Sequence, residues 1–164
     1  ECVDHEVDSI CQVSYMDEEQ REEFLEEFER EREKSLVAFC VMGGIFSEGI
    51  DLMGEKLIGA IIIGTGLPQI GTEREILRQY YDKKGVNGFD YAYRYPGMNK
   101  VLQSAGRVIR TQEDTGIILL LDERFAGKDY RNLFPAEWSD RGNCTLNTVE
   151  EQLGSFWNRI REKN

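Results

Sequence analysis

The 164 residues are 40% hydrophobic, enough for one domain with a core of useful size. Thirty-one acidic against 20 basic side chains leave a net charge of −11, which argues against a protein that simply coats nucleic acid. No apolar run reaches the length of a membrane span, and Glu1–Glu6 offer neither the basic region nor the apolar stretch of a signal peptide.

Cys2, Cys11, Cys40 and Cys144 are far apart and contain no Cys-x-x-Cys, so they read as free thiols of a reducing cytoplasm and not as a metal site. The single histidine, His5, reads as a surface residue.

In chain order, Ser9–Ser14 reads as a short strand. Asp17 to Lys34 reads as a helix with a thin apolar stripe of Phe24, Leu25 and Phe28. Residues 17–34 hold ten acids and four bases, a net of −6, so the rest of the chain is only mildly acidic and has room for a local basic groove. Leu36–Met42 is a continuous apolar strand, expected to be buried on both faces, and a glycine-bearing loop, Gly43–Asp51, follows it. Leu57–Ile63 is the next buried strand, ending in Gly64-Thr-Gly-Leu-Pro68. Thr72 and Glu75 have the spacing of a capping box for a helix over about 73–84, which stops near Gly85. After a Gly- and Tyr-rich connection, Pro96 suits the first turn of a helix that carries Arg107 and Arg110. Gly116–Asp122 is a further buried strand. Thr148 and Glu151 form a second capping box, opening a helix over about 149–162 with an apolar stripe of Leu153, Phe156, Trp157 and Ile160. Buried strands alternating with helices predict an open, mainly parallel sheet with helices on both faces, a fold whose ligands lie at the carboxyl ends of the strands.

Two segments carry chemistry. In Gln103-Ser-Ala-Gly-Arg-Val-Ile-Arg110 the arginines are three apart, which on a helix sends both guanidinium groups out of one face, and Gly106 lets another backbone approach it. Such a pair suits a phosphate-bearing ligand, and the alternative is a surface helix with two solvated arginines. In Gly43–Asp51, Ser47 and exposed N–H groups could contact a phosphate, while Glu48 and Asp51 could take a ribose hydroxyl, a metal-bound water or an arginine. An ordinary strand-to-helix turn is the alternative. Ile118–Glu123 has the outline of a Walker B strand, but no Gly-x-x-x-x-Gly-Lys-[Ser/Thr] loop accompanies it, since Gly127-Lys128 runs into Asp129. One histidine also cannot assemble an acyl-transfer triad.

Ser47-Glu-Gly-Ile-Asp51 resembles motif V, and Gln103–Arg110 motif VI, of superfamily 2 helicases, with wording closest to the XPD/DinG group of DNA helicases. Gly66-Leu-Pro68, Asp122-Glu-Arg-Phe125, Tyr130 and Pro135-x-x-Trp138 extend the likeness over about residues 9–140. The resemblance implies that residues 1–164 form a single RecA-like C-terminal motor domain from a longer chain. ATP with Mg²⁺ would be shared with a first, N-terminal motor domain absent here, which supplies the phosphate loop. Arg110 would be the arginine finger with Arg107 beside it, a device worth ~10³–10⁵ in rate elsewhere. Gln103 and Gly106 would line the nucleotide, together with Glu48, Gly49 and Asp51, which would also couple it to the DNA. Ser47 would touch single-stranded DNA, held mainly by its backbone.

The family's iron–sulfur cluster belongs to the missing part, and none is expected in this chain. The first strand of such a domain, with motif IV, is not apparent at the start of the sequence. A bacterial cytoplasmic or nucleoid-associated protein with no membrane partner is implied. The rival readings are a non-catalytic interaction domain of degenerate motor fold, an RNA helicase domain, and a dinucleotide enzyme, the last lacking any Gly-x-Gly-x-x-Gly after a strand.

Overall fold

The computed structural model describes residues 7–44, 57–109, 114–139 and 141–162. They fall into two compact units, Glu1–Asn132 and Leu133–Asn164.

In the first unit, β1 (Val7–Cys11) and β2 (Ser35–Phe39) pair in parallel, Val7 opposite Ser35 and Cys11 opposite Phe39. The helix between them, α1 (Glu18–Glu26), opens with a capping box that the sequence reading passed over. The Asp17 carboxylate accepts from the Gln20 N–H at 2.9 Å, and the Gln20 side-chain oxygen accepts from the Asp17 N–H at 3.2 Å. Phe24 is buried against Ile10, Met16, Leu25, Phe28, Ala38 and Leu57, so a narrow stripe holds α1 while its acids face water. The helix ends eight residues before Lys34. Its last turn holds no base to offset the negative end of the helix dipole, and Arg32 folds back to donate to the Glu27 carbonyl and to pair with the Glu27 carboxylate at 2.7 Å.

A second parallel pair joins β3 (Gly59–Ile63) to β4 (Ile117–Leu121), Gly59 opposite Ile117 and Ile63 opposite Leu121. Between them run α2 (Thr72–Lys83), a π-helical turn (Asp90–Arg94) and α3 (Tyr95–Ala105) with Pro96 in its first turn. After β4 come a 3₁₀ turn (Glu123–Ala126) and a single helical turn, α4 (Lys128–Arg131). Helix α3 packs on β3, and Ile62, Met98, Val101 and Ala105 are buried. The expectation of strands buried on both faces is not met. Val37 and Phe39 of β2 are 40% and 53% exposed, and Ile61 and Ile63 of β3 are 62% and 74% exposed. In β2 and β3 alternate side chains are covered, Leu36 and Ala38 partly and Ile62 fully, while those between them are open, as a period of two demands.

Helix α3 is seated by glycine. A Cβ on Gly97 would lie 2.6 Å from the Thr65 carbonyl oxygen and 3.1 Å from Gly66 and Leu67 backbone atoms. Gly66, at φ +65°, lies in the left-handed region and makes the reciprocal contact with the Gly97 carbonyl. Gly97 thus sits at the carboxyl end of β3. At the other end of α3, Val108 packs over Gly116, just before β4, where the Ile117 N–H donates to the Ile58 carbonyl at 3.0 Å. The helix therefore runs back along the strands from their carboxyl to their amino ends.

Neither Thr-x-x-Glu sequence forms a capping box. Gly71 is the N-cap of α2, and Glu75 instead accepts from the Tyr93 hydroxyl at 2.6 Å and pairs with Arg78 at 3.1 Å. Thr148 does cap α5 (Val149–Arg161) by position, but its Oγ1 accepts from the Thr145 N–H at 2.9 Å. The second unit contains α5, whose Leu153, Phe156, Trp157 and Ile160 are half-buried as the stripe predicted, and a Phe134–Trp138 ring pair at 5.4 Å.

These contacts set opposite signs for two glycine substitutions. Gly97→Ala should lower stability by about 1–3 kcal/mol, because backbone cannot yield to the added methyl. Gly154→Ala in α5, with open space around it, should raise stability by up to about 1 kcal/mol. Urea unfolding midpoints measure both, and a stabilising Gly97→Ala would contradict the seating of α3.

Candidate nucleotide and nucleic-acid site

Helix α3 stops at Ala105, earlier than a helix bearing both arginines requires. Gly106 is its C-cap, with φ −65° and its N–H donating to the Leu102 carbonyl at 2.8 Å. Arg107 lies in the tighter turn beyond, where its N–H reaches the Ser104 carbonyl at 3.2 Å. Gln103 is exposed and Arg107 half-buried. Among the described residues, a Cβ on Gly106 would approach only the carbonyls of Leu102 and Gln103 in its own helix, and the close backbone approach described is that of Gly97. Arg110 lies outside the described residues, as do Ser47, Glu48, Gly49 and Asp51.

The base of the Gly43–Asp51 loop is described. The Gln12 side chain accepts from the Val41 N–H at 2.9 Å, its backbone N–H donates to the Phe39 carbonyl at 2.8 Å, and the Gly44 N–H closes a turn onto the Val41 carbonyl at 2.9 Å. β1 thereby fixes the chain where it leaves β2. A cavity of about 480 Å³ opens here, bordered by Gln12, Ser14 and Gly44. The loop after β3 is anchored by the Gly64 N–H on the Leu121 carbonyl at 3.2 Å, and holds Thr65 buried with no hydrogen-bond partner for its Oγ1 among the described residues.

Beyond β4, the Asp122 carboxylate accepts from the Arg124 backbone N–H at 2.9 Å and grips the Arg124 guanidinium through both oxygens at 2.8 and 2.7 Å. It is a cap and an ion-pair partner, and among the described residues no group of His, Cys, Asp or Glu could hold a metal ion. The cysteines described, Cys11, Cys40 and Cys144, are free.

A basic cluster went unread in the sequence. The Arg94 guanidinium lies 5.7 Å from the Phe89 ring and 5.4 Å from the Tyr130 ring, and pairs with Asp90 at 2.6 Å and Asp129 at 3.1 Å. With Arg124, Lys128 and Leu67 it borders a cavity of about 410 Å³ beyond the carboxyl ends of β3 and β4. The Asp90–Arg94 spacing was the available signal. It was hidden in what read as an irregular Tyr-rich connection, where Tyr81 and Tyr91 in fact stack at 4.0 Å.

Parallel strands joined through helices, with glycine-bearing turns at their carboxyl ends, define a domain of the parallel α/β class. The family model for the helicase C-terminal domain matches residues 2–141. The chain belongs to that family, in its XPD/DinG-like branch. The ATP-dependent DNA helicase DinG of Photobacterium profundum is 38% identical over 89 residues, 53% of this chain and 13% of that protein. The general transcription and DNA repair factor IIH helicase subunit XPD of Dictyostelium discoideum is 32% identical over 109 residues, 64% of this chain and 14% of that protein. A solved XPD helicase superposes with a TM-score of 0.60 at 20% identity, over 76% of this chain and 22% of that one, and shows the RecA-like α/β fold. The chain spans 13 to 17% of the length of the curated relatives it matches. No described helix is long and apolar enough to cross a membrane.

Two stability tests follow from the ion pairs. Arg94→Met strands two carboxylates around a side chain only 15% exposed and should cost about 3 kcal/mol, whereas Asp129→Asn, at a 67% exposed carboxylate, should cost less than about 1 kcal/mol. Equal losses in chemical unfolding would refute the central place of Arg94. At Asp122, the side-chain hydrogen bonds from Arg124 hold the carboxyl below its ordinary range. The folded state then binds fewer protons there than the unfolded chain, so the stabilisation is present at neutral pH and lost as pH falls through the depressed value. Asp122→Asn should cost about 1 kcal/mol at neutral pH, as for a lost N-cap, and should flatten the fall in stability below about pH 4. Acid limbs of equal slope in the two proteins would exclude this linkage.

Proposed function

We propose that residues 1–164 serve as the second motor domain of an ATP-dependent DNA helicase, and that ATP binds between this domain and an N-terminal motor domain. The observation that carries this reading is the placement of α3. It is seated on the carboxyl rim at Gly97 and delivers Gln103, Gly106 and Arg107 to the opposite end of the strands. In this reading Arg110 is the arginine finger on the γ-phosphate and Arg107 its neighbour, and Gln103 and Gly106 line the nucleotide. Glu48, Gly49 and Asp51 link the nucleotide to the DNA track, and Ser47 touches the strand. The two ends of α3 would then serve two ligands: nucleotide at the arginines, and single-stranded DNA along the rim where β2 and β3 end.

In this reading Mg²⁺ is held with ATP by the other motor domain. Mg²⁺ would supply charge neutralisation on the phosphates. This chain's part is positional: a guanidinium fork aimed at the transferring phosphoryl group stabilises charge that grows only in the transition state. Closure of the cleft on ATP and its opening after hydrolysis would move the domain along DNA in the bacterial cytoplasm or nucleoid.

The test is the ATPase rate of a protein carrying both motor domains, with single-stranded DNA, single-stranded RNA or neither. Stimulation by DNA and a fall of ~10³ or more in Arg110→Ala are expected, with no turnover by the 164-residue chain alone. An unchanged rate in Arg110→Ala would remove that residue from catalysis. Absence of any DNA-stimulated ATPase would remove the motor reading, and stimulation by RNA alone would make the substrate RNA.

A further inference from the structure

Lys100 is a rim cation for which neither the sequence motifs nor the family match provides a role. It lies on α3, one turn beyond Gly97, and is half-buried. Its side chain lies across the turn that begins the Gly43–Asp51 loop. A Cβ on Gly43 would lie 3.1 Å from Lys100 Cδ and Cε and 3.4 Å from Nζ. Gly43, at φ +78°, has a backbone conformation that disfavours other residues, so the bed on which the lysine stem rests is fixed by glycine on two counts.

Two contrasts mark this ammonium out. Arg30, Arg32, Arg78, Arg94 and Arg124 are each tied to a carboxylate, while Lys100, like the exposed Lys83 and Lys128, has no ion-pair or side-chain hydrogen-bond partner among the described residues, and unlike those two it is half-buried. Long cationic side chains are also normally mobile, and ordering one on binding weakens the contact it makes. Here the stem is already laid down, so little further ordering is needed when an anion arrives.

Position selects the anion. Lys100 precedes Ala105, the last residue of α3, by five residues, about 7.5 Å along the helix, and Arg107 lies in the turn beyond, toward the amino ends of the strands. Lys100 faces instead the turn where the chain leaves β2, beside Gly44 and the cavity of about 480 Å³ that Gly44 borders. It is therefore on the rim, away from Arg107.

We infer that Lys100 is a phosphate-binding residue for the backbone of single-stranded nucleic acid, held ready by its contact with Gly43. The inference rests on the nucleic-acid reading above and adds to it a named contact outside the two motifs. Phosphates belong both to nucleotides and to nucleic acid, so the experiment separates them.

The test uses the 164-residue chain with a fluorescent 15-nucleotide oligothymidylate and, separately, magnesium ATP. Lys100→Met keeps the stem over Gly43 and removes the charge, and Lys100→Arg keeps the charge. Met should weaken the oligothymidylate about tenfold, as for one charge-assisted hydrogen bond. It should also lower the slope of log affinity against log salt by about 0.7, the share of one phosphate on a single strand. Arg should restore most of the affinity, and magnesium ATP should respond equally to all three proteins. Equal affinity and slope in wild type and Met would overturn the inference, and so would a loss confined to ATP or failure of the wild type to bind the oligothymidylate. If Lys100→Met does not fold, the wild type still decides. Its Lys100 Cε–Hε resonance, assigned by its disappearance in Lys100→Arg, should shift with oligothymidylate and not with ATP, and an unmoved resonance overturns the proposal. A normal Arg110→Ala result beside a silent Lys100 keeps the motor reading and drops this contact. The reverse pair of results keeps the contact and drops the motor.

Discussion

Helix α3 meets the turn after β3 backbone to backbone. At Gly97 there is no room for even a methyl group, and Gly66 faces it with the same restriction. Side chains can adjust to a changed neighbour, but two main chains in contact cannot, so this point fixes the distance between helix and strand. Every other position on α3 inherits its height from it: Met98, Val101 and Ala105 reach the core, Lys100 crosses Gly43, and beyond the helix Val108 meets Gly116 just before β4. The ion-pair cluster around Arg94 secures the same helix one turn earlier, binding its approach to the segment after β4.

This geometry places the two ends of α3 in different surroundings. One end touches the turns that leave β2 and β3, and the other lies over the entry to β4. In the proposed motor, a rigid helix of about three turns is the shortest mechanical link between a nucleic-acid track and a nucleotide. It would carry a displacement from one to the other without a chain of rearranging side chains.

The parallel α/β arrangement and the helix over 149–162 were legible because apolar runs of strand length and a 3.6-residue stripe come from burial itself. The missing information was of three kinds. Capping boxes at Thr72 and Thr148 failed because their side chains had nearer or stronger partners, Tyr93 and Arg78 for Glu75 and the Thr145 N–H for Thr148. The depth of burial of β2 and β3 was overstated, because an apolar run does not say how many of its faces a helix covers. Arg94 was missed because its partners, Phe89, Asp90, Asp129 and Tyr130, are split between two stretches of sequence that only the fold brings together. Of the site itself, motif spacing indicated which segments matter, but not that α3 ends at Ala105 and leaves Arg107 in a turn.

The π-helical turn at Asp90–Arg94 adds a point about helical phase. Such a turn holds one residue more than an α-helical turn would, and α3 continues from it without a break. Each residue added to or taken from a helix rotates all that follows by about 100°. Loss of a single residue there would keep α3 helical while swinging its faces about a quarter turn, presenting Val101 to solvent and a polar flank to β3. Chain length between Phe89 and Tyr95 is thus as strict a requirement as residue identity, and a sequence relative with one residue fewer there must reach the same facing by another route.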